Sequence, residues 1–507
     1  MQAHPLTIRF EEKHLRLFAA ASLDFHPIHL SAKYAHTTPF GQPVVYGMLG
    51  FSACLGGLTP LSGKAVSSMR VEFDSPLFLD VDYSLVVQRQ SEREIAAALM
   101  DGSVTCMTLH LRFRDGNPEL CELGEEGSAP RPESRQMQLT ELQPGLSLSG
   151  HYATPRQAYL NLLAALGIDR QAWGDALLLV AMCSSYLVGM ELPGESALFT
   201  AMKANLEGSP SVPTDFQMTV ESYDERYQLV ESRFALSGGS SVYARGELSA
   251  VARSPRNRST YTAHLQGTGQ FAGKTALVIG ASRGLGAALA LELAAEGCTV
   301  VATYAQSNED MQQLLELTDK LPGSLVPERG DASDLQWCVD LKRRICERFG
   351  GLDMLVCNAA PAVRPMRLEE ATYDRMQSFL QRGFALVGAP LSSFLPVVSA
   401  GQGKVLLISS AFVEEPPRNW PHYVALKAGA EGLVRTAAAA HPKVTFWIAR
   451  PGRLRTDMSN TPLGWFEAED PSAVAHQIVQ EIAAASSPGE VHFCGLGKTA
   501  SSAQGIS

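Results

Sequence analysis

Apolar and polar positions are arranged differently in three successive parts of the chain. In the first part, Val44–Leu58 is apolar on every side and rich in Gly, Ala, Ser and Cys, which predicts a buried helix. Farther on, apolar and polar side chains alternate over residues 109–113, as in a half-buried antiparallel strand. This order predicts an antiparallel sheet wrapped around a central helix.

The second part repeats this order. A helical run over Ala176–Met190 precedes three strand-like segments, Phe216–Tyr223, Tyr227–Leu236 and Ser241–Val251. The similar tetrapeptides Leu55–Leu58 and Leu187–Met190, about 130 residues apart, each precede a turn that contains proline. We interpret them as a weak internal repeat and predict a duplicated fold, with two unrelated small domains as the alternative.

In the third part, short apolar strands alternate with helices. The predicted strands are Thr275–Ile279, Cys298–Tyr304, Met354–Val356 and Val405–Ser409. Such alternation predicts a doubly wound parallel sheet. Polar, turn-rich seams at Asp115–Pro144 and Arg253–Ser259 separate the parts. We therefore predict a chain of α/β and α+β class with domains over residues 1–115, 140–252 and 265–507.

Composition excludes several classes of protein. The 507 residues are 45% hydrophobic and 19% charged, as in globular domains, and their net charge of −10 argues against a protein that mainly binds nucleic acid. Because we find no run of 18 apolar residues and no signal-peptide pattern, we expect a cytoplasmic protein that spans no membrane. Nine scattered cysteines without ligand spacing indicate neither disulfides nor a metal site.

Candidate chemistry in the third part begins at a glycine-rich turn between a strand and a helix. The turn contains Gly280, Ser282, Arg283, Gly284, Leu285 and Gly286. Glycines there let the backbone approach a pyrophosphate at the helix N-terminus; a merely tight turn is the alternative. Asn358 and Ala359 end a later strand. Ser410 ends another, thirteen residues before Tyr423, which shares a helix face with Lys427.

These residues together resemble the short-chain dehydrogenase/reductase family, particularly its 3-oxoacyl-thioester reductases, over residues 272–460. The resemblance implies that Tyr423 donates a proton to the substrate carbonyl oxygen, that Ser410 hydrogen-bonds the same oxygen, and that Lys427 lowers the pKa of Tyr423. The nicotinamide supplies hydride. The implied cofactor-binding residues are Gly280, Ser282, Arg283, Gly284, Leu285, Gly286, Asp331 at the adenine, Asn358, Ala359, Tyr423, Lys427 and Thr456 near the nicotinamide amide.

Two features of this region bear on the proton relay and the cofactor. The asparagine of the family's catalytic tetrad would fall near Leu380 and is absent. Gln381 is a candidate substitute, and a differently arranged water relay is the alternative. The second strand is followed by no acid before Glu309 that would accept from a ribose 2′-hydroxyl. Arg283 and Ser282 are placed to pair with a 2′-phosphate, so we predict NADPH as the cofactor; the alternative for Arg283 is a solvated turn residue.

The first part places a carboxylate, Asp24, five residues before an imidazole, His29. Alone, such a pair would be structural. With Ala35 six residues after His29 and Gly47 opening the predicted helix, the segment resembles the MaoC-like hydratase/dehydratase family of hotdog folds over residues 10–115. The resemblance implies that Asp24 and His29 take the α-proton of an acyl thioester and assist loss or addition of water at its β-carbon. Amides at the helix N-terminus would polarise the thioester carbonyl.

The first part also departs from this family. Leu23 replaces the usual Gly, His26 the usual Asn, and Tyr46 the usual His. The second part lacks the signature, and we expect His151 to be structural and Cys183–Tyr186 to pack rather than react. We predict that this part is a non-catalytic partner hotdog that completes a pseudo-dimer and shapes the acyl tunnel.

Two sites on one chain favour consecutive reactions. We predict a bifunctional ketoreductase/dehydratase that converts a 3-oxoacyl thioester to the 3-hydroxyacyl and then the trans-2-enoyl thioester, in fatty-acid-like or polyketide biosynthesis. We expect a homo-oligomer acting on acyl carrier protein or coenzyme A thioesters. Arg253, Arg256 and Arg258 only hint at docking of an acidic carrier, and we expect these residues to form a solvated linker instead.

Other functions stay open. The same sites run backwards would hydrate an enoyl thioester and oxidise the product with NAD. Alternatively, the hotdogs only bind and dimerise beside a lone reductase. A hotdog thioesterase is disfavoured, because thioester hydrolysis does not need the Asp/His pair.

Overall fold

A computed structural model describes residues 6–123, 132–239, 241–254, 265, 267–461, 464, 468–484 and 487–496. Most of these residues form two compact units, a first unit over 6–254 and a second unit over 265–460 and 468–496.

The first unit is built on a ten-stranded sheet with the order β1-β3-β4-β5-β2-β7-β10-β9-β8-β6. The strands are β1 Leu6–Arg9, β2 Lys64–Phe73, β3 Asp82–Gln90, β4 Glu94–Asp101, β5 Val104–Asp115, β6 Ser147–Tyr152, β7 Ala197–Leu206, β8 Thr214–Asp224, β9 Leu229–Gly238 and β10 Ser241–Ala252. Antiparallel pairing of β2 with β7 joins an N-terminal half, β1–β5, to a second half, β6–β10. Because the strand order is the same in each half when read from opposite ends, the topology matches the internal repeat inferred from the sequence.

The helices of the first unit are α1 Glu12–Ser22, α2 Pro27–Leu30, α3 Ala32–Ala35, α4 Gly47–Gly57, α5 Arg156–Leu166, α6 Arg170–Trp173 and α7 Asp175–Tyr186, which continues as a π-helical turn over Leu187–Glu191. The two apolar helices, α4 and α7, pack against each other and against the sheet. Small residues also permit close approach of α4 to the end of α5: a Cβ at Gly56 would lie 1.9 Å from the carbonyl oxygen of Leu166. Each half therefore places a buried helix before four antiparallel strands, as predicted.

The second unit is a seven-stranded parallel sheet with the order β13-β12-β11-β14-β15-β16-β17. Its strands are β11 Thr275–Ile279, β12 Thr299–Tyr304, β13 Ser324–Arg329, β14 Met354–Cys357, β15 Lys404–Ile408, β16 Thr445–Ala449 and β17 Val491–Phe493. Its longer helices are α8 Gly284–Ala295, α9 Asn308–Thr318, α10 Leu335–Phe349, α11 Tyr373–Ala400, α12 Pro421–Ala440 and α13 Pro471–Ala483. The predicted doubly wound sheet, and with it the mixed α/β class, is confirmed.

Among the described residues, one helical segment, Glu370–Ala400, is long and apolar enough to cross a membrane by length and composition. In its most apolar window, 44% of the residues are buried inside the protein. The segment packs on α10, α12 and β14, so a core helix of a parallel sheet accounts for its composition equally well.

The second predicted seam, Arg253–Ser259, begins with a residue that is part of the first unit. Strand β10 extends to Ala252, and the next residue, Arg253, is only 7% exposed. Its guanidinium donates to the carbonyl oxygens of Ser196 and Glu195 and to the hydroxyl of Tyr34. The expectation that Arg253 lies on a solvated linker is therefore wrong, because these oxygens hold its side chain in the first unit. Arg256 and Arg258 lie outside the described residues.

Candidate active sites

In the first unit, Asp24 lies in the bend between α1 and α2 and is 2% exposed. Its Oδ1 accepts a hydrogen bond from the backbone N–H of His26 at 3.0 Å, and its Oδ2 accepts one from the hydroxyl of Ser185 at 2.7 Å. Burial raises the pKa of Asp24 to about 7, although both hydrogen bonds act to lower it. The carboxyl group can therefore carry or release a proton near neutral pH.

His29, on α2, is a neutral imidazole near neutral pH, where Asp24 can hold a proton. Its Nδ1 lies 2.8 Å from the carbonyl oxygen of Val44, which can only accept, so Nδ1 carries the hydrogen and Nε2 is the basic nitrogen. Burial lowers the pKa of His29 to about 4. Its ring stacks on Tyr46 with centroids 3.7 Å apart. A neutral base and a protonatable carboxyl thus belong to the same buried segment.

The structure explains two departures from the family signature. Nδ1 of His26 accepts from the backbone N–H of Ile28 at 3.1 Å, which is the capping bond that an Asn at this position would make to α2. Its Nε2 donates to the carbonyl oxygen of Glu195 at 3.0 Å. Leu23 has φ 56° and ψ 16°, the left-handed conformation that glycine adopts most readily. Both substitutions therefore keep the local backbone geometry.

Helix α4 begins directly after Tyr46, which makes no side-chain hydrogen bond to the first turn. Amides of a first turn have no partner inside their own helix, so they can polarise a carbonyl oxygen placed before them. The hydroxyl of Tyr46 instead donates to the main-chain oxygen of Asp24 at 2.7 Å. The expected oxyanion-binding helix end thus lies beside the Asp/His segment.

Two residues of the second half also contact Asp24. Ser185, on α7, makes the 2.7 Å bond to its carboxylate, and a Cβ at Gly189 would lie 2.7 Å from Asp24 Oδ1. We expect Cys183–Tyr186 to pack rather than react. Cys183 is buried, and Ser185 also hydrogen-bonds Asp24, a contact that the sequence did not predict. His151 is exposed and lies 2.5 Å from Asp215 on the sheet surface.

In the second unit, the glycine-rich turn follows β11 and leads into α8. Gly280 and Gly284 have φ of +79° and +58°, and Arg283, the N-cap residue of α8, makes no side-chain cap. A Cβ at Gly286 would lie 2.1 Å from the oxygen of Gly280, and Asn358 Nδ2 donates to that same oxygen at 2.9 Å. The turn therefore brings the backbone after β11 close to the first turn of α8, a cradle that fits a dinucleotide pyrophosphate.

Ser410 follows β15, and Tyr423 and Lys427 lie on the first turns of α12. Burial raises the pKa of Tyr423 to about 12, and a hydrogen bond with Ser410 offsets part of that rise. Lys427 Nζ donates to the carbonyl oxygen of Ile408 at 2.7 Å and lies 5.7 Å from the ring centroid of Tyr423. The predicted trio is therefore assembled.

The predicted lowering of the Tyr423 pKa by Lys427 is not met in this geometry. The ammonium group is directed to the backbone of β15, and burial lowers its own pKa to about 8. Leu380 stands where the family asparagine is expected, and Gln381 is exposed on α11. Lys427 therefore meets a main-chain oxygen directly, and no contact of the described residues links Gln381 to it.

The sequence did not indicate that Glu431 binds Ser409, the residue before Ser410. The buried carboxylate of Glu431 accepts from the hydroxyl of Ser409 at 2.6 Å and from Nε and Nη2 of Arg450 at 2.8 and 2.6 Å. Glu431 stands four residues after Lys427, on the same face of α12. This spacing was the available signal, but only the fold brings Ser409 and Arg450 to it.

The remaining cofactor candidates make contacts with protein groups. Arg283 Nη1 lies 3.4 Å from Asp457 Oδ2, and Asp457 directly follows Thr456. Asp331 Oδ1 accepts from Ser333, and Asp331 Oδ2 lies 3.0 Å from Arg382. A phosphate approaching Arg283 would therefore compete with a carboxylate.

Among the described residues, no group of three or more His, Cys, Asp or Glu side chains is placed to hold a metal ion.

Comparison with known proteins finds a different family in each unit. A family model described as "short chain dehydrogenase" matches residues 274–463, and one described as "MaoC like domain" matches residues 2–107.

Individual relatives each match less than half of this chain. The hydroxynaphthalene reductase-like protein Arp2 of Metarhizium guizhouense is 30% identical over 236 residues, which are 45% of this chain and 84% of that protein. A short-chain dehydrogenase/reductase of Pestalotiopsis microspora is 34% identical over 37% of this chain and 71% of its own length. A crystal structure of a short chain dehydrogenase from Burkholderia cenocepacia in complex with NADP is 27% identical, with a TM-score of 0.40, over 44% of this chain and 97% of that chain.

Proposed function

Because the chain belongs to the short-chain dehydrogenase family and also carries a MaoC-like domain, we propose that it performs two consecutive reactions. The second unit reduces a 3-oxoacyl thioester to the 3-hydroxyacyl thioester. The first unit then removes water to give the trans-2-enoyl thioester. The observation that carries this proposal is the presence, in one chain, of an assembled Ser/Tyr/Lys trio and of a buried Asp24 with a half-buried His29 that differ in protonation near neutral pH.

In the reduction, the substrate ketone binds beside Ser410 and Tyr423. Ser410 hydrogen-bonds the carbonyl oxygen, and Tyr423 gives it a proton as general acid. Gly280, Gly284 and Gly286 would hold the pyrophosphate of a nicotinamide dinucleotide, and this cofactor would supply the hydride for the reduction. Lys427, which donates to Ile408, fixes the start of α12 against the end of β15 and so keeps Tyr423 close to Ser410.

In the dehydration, the neutral imidazole of His29 takes the α-proton through Nε2. Amides at the start of α4 stabilise the charge that develops on the thioester oxygen. Asp24 protonates the β-hydroxyl, so the Cα–H and Cβ–O bonds break, a C=C bond forms and water leaves. The proton on His29 then returns to Asp24, which restores the starting state.

NADPH is the cofactor that the second unit suits best. Strand β12 ends at Tyr304 with no acid before Glu309 to bind a ribose 2′-hydroxyl, and Arg283 lies at the start of α8. Since cells generally keep NADPH reduced, the reactions would run toward biosynthesis, on acyl carrier protein or coenzyme A thioesters. We further propose a cytoplasmic homo-oligomer.

Separate assays of the two half-reactions test this proposal. Asp24→Asn should abolish hydration of crotonyl-CoA but retain reduction of 3-oxobutyryl-CoA, and Tyr423→Phe should do the opposite. If Asp24→Asn hydrates crotonyl-CoA as fast as the wild type, the first unit is not a dehydratase of this mechanism, and a binding or dimerisation role takes its place.

A further inference from the structure

The second half of the first unit lacks an Asp/His pair, yet its helix α7 extends to the catalytic carboxylate. Ser185 lies near the end of α7 and is 5% exposed. Its hydroxyl bonds to Asp24, a residue 161 positions earlier in the chain. The hydroxyl of Ser185 thus donates to a carboxylate of the N-terminal half and not to a carbonyl oxygen of its own helix.

Asp24 is held from two sides. One oxygen accepts from the backbone of its own segment, and the other accepts only from Ser185 among the contacts that the described residues make. The π-helical turn after α7 places Gly189 against the carboxylate, where a Cβ would lie 2.7–3.0 Å from its three atoms. Without Ser185, one oxygen would lose its donor while the backbone at Gly189 still excludes water from that side.

We propose that Ser185 is a positioning residue for Asp24, so that the second half completes the dehydration site instead of only covering it. This inference rests on the proposed function of Asp24. The hydroxyl fixes the rotation of the carboxyl group and so directs its acidic proton toward the β-hydroxyl of the substrate. A hydrogen bond to a carboxylate also favours its ionised form, which makes Asp24 a stronger acid.

Three other titratable side chains near Asp24 keep a constant charge close to neutral pH. Burial lowers the pKa of His26 well below its ordinary value and that of His29 to about 4. The hydroxyl of Tyr152, at the end of β6, is buried, and burial raises its pKa well above the ordinary value. A limb near pH 7 in the rate profile would therefore report Asp24.

The test compares Ser185→Ala with Ser184→Ala in the full chain. Ser184 is a matched control, because it is buried on the same helix but donates to the carbonyl oxygen of Ala181 at 2.8 Å. The assays are the dehydration of 3-hydroxybutyryl-CoA against pH and, on the same samples, the reduction of 3-oxobutyryl-CoA. Circular dichroism melting checks that each variant is folded.

Ser185→Ala should lower kcat for dehydration about 10- to 150-fold, which is the range for a lost hydrogen bond to a charged group. The limb near pH 7 should move to higher pH by about one pH unit, while KM changes little. Reduction should be unchanged, and Ser184→Ala should keep the wild-type profile.

The inference is overturned if both serine variants show the same kcat and the same pH profile. It is also overturned if Ser185→Ala loses dehydration only in proportion to a loss of folded protein. A wild-type protein that dehydrates nothing would instead refute the proposed function itself, so the two failures are distinguishable.

Discussion

The imidazole of His29 lies stacked on the phenol ring of Tyr46, with the ring planes inclined by 27°. Through its hydroxyl, Tyr46 also donates to the main-chain oxygen of Asp24. One side chain therefore holds both members of the proposed catalytic pair, the base through its ring and the acid through its backbone. Tyr46, which stands where the family signature has His, therefore has a defined structural role.

Tyr46→Phe keeps the ring contact and removes only the hydroxyl. The buried carbonyl of Asp24 then loses a donor, so the first unit should be destabilised by about 1–3 kcal/mol. Urea unfolding, followed through the loss of crotonyl-CoA hydration, measures this loss of stability. Tyr46→Ala, which also removes the ring stack on His29, should destabilise the first unit more. Equal urea midpoints for Tyr46→Phe and the wild type would contradict the role of the hydroxyl.

The rate of dehydration should show a bell-shaped dependence on pH. The rate should fall below about pH 4, where His29 becomes protonated, and above about pH 7, where Asp24 loses its proton. The upper limb lies this high because burial disfavours the charged carboxylate. Rates of 3-hydroxybutyryl-CoA dehydration from pH 3.5 to pH 9 give the profile (about one measurement per half pH unit resolves both limbs). Activity that keeps rising through pH 8 would mean that Asp24 does not act in its protonated form.

Tyr423→Phe removes the proton donor of the second unit and leaves the ring in place. Ketoreduction should fall by at least about 10²-fold, the usual contribution of a general acid. Binding of NADPH, measured by its fluorescence, should persist, and crotonyl-CoA hydration serves as the internal control. Near wild-type reduction by the variant would show that another group protonates the carbonyl.

Arg283 and Asp457 give opposite predictions for the cofactor. Arg283→Ala should remove most of a preference for NADPH over NADH of about 10- to 150-fold, since a charge-assisted contact with the 2′-phosphate is lost. Asp457→Asn removes the competing carboxylate and should improve the KM for NADPH about two- to fivefold, as expected for a partly exposed ion pair. The KM for NADH should change little in either variant. Equal efficiency of the wild type with both cofactors would refute the assignment and favour the oxidative direction.

Local pattern was enough to predict the apolar helices, the alternating strands and the glycine-rich turn, because each depends on residues close in sequence. Strands β13, β16 and β17 were not predicted. Ser324–Arg329 carries Pro327 and two charges, and so lacks the pattern of a buried strand.

The contacts that the sequence did not reveal join distant residues. Ser185 meets Asp24 only because β2 pairs with β7 and brings the two halves together. Arg253 falls in a polar run, yet carbonyl oxygens from the segment before β7 bind it. Likewise, nothing in the sequence around Arg283 indicates that it contacts the carboxylate of Asp457, 174 positions later.

The central claim is that one chain carries out reduction and then dehydration. Mass spectrometry of 3-oxobutyryl-CoA incubated with the wild-type protein and NADPH tests it most directly. We predict that a product two mass units heavier forms first, and that a species eighteen units lighter than this product then appears; with Asp24→Asn only the first product should accumulate. A wild-type reaction that stops at the 3-hydroxyacyl thioester, under conditions in which added crotonyl-CoA is not hydrated either, would contradict the account.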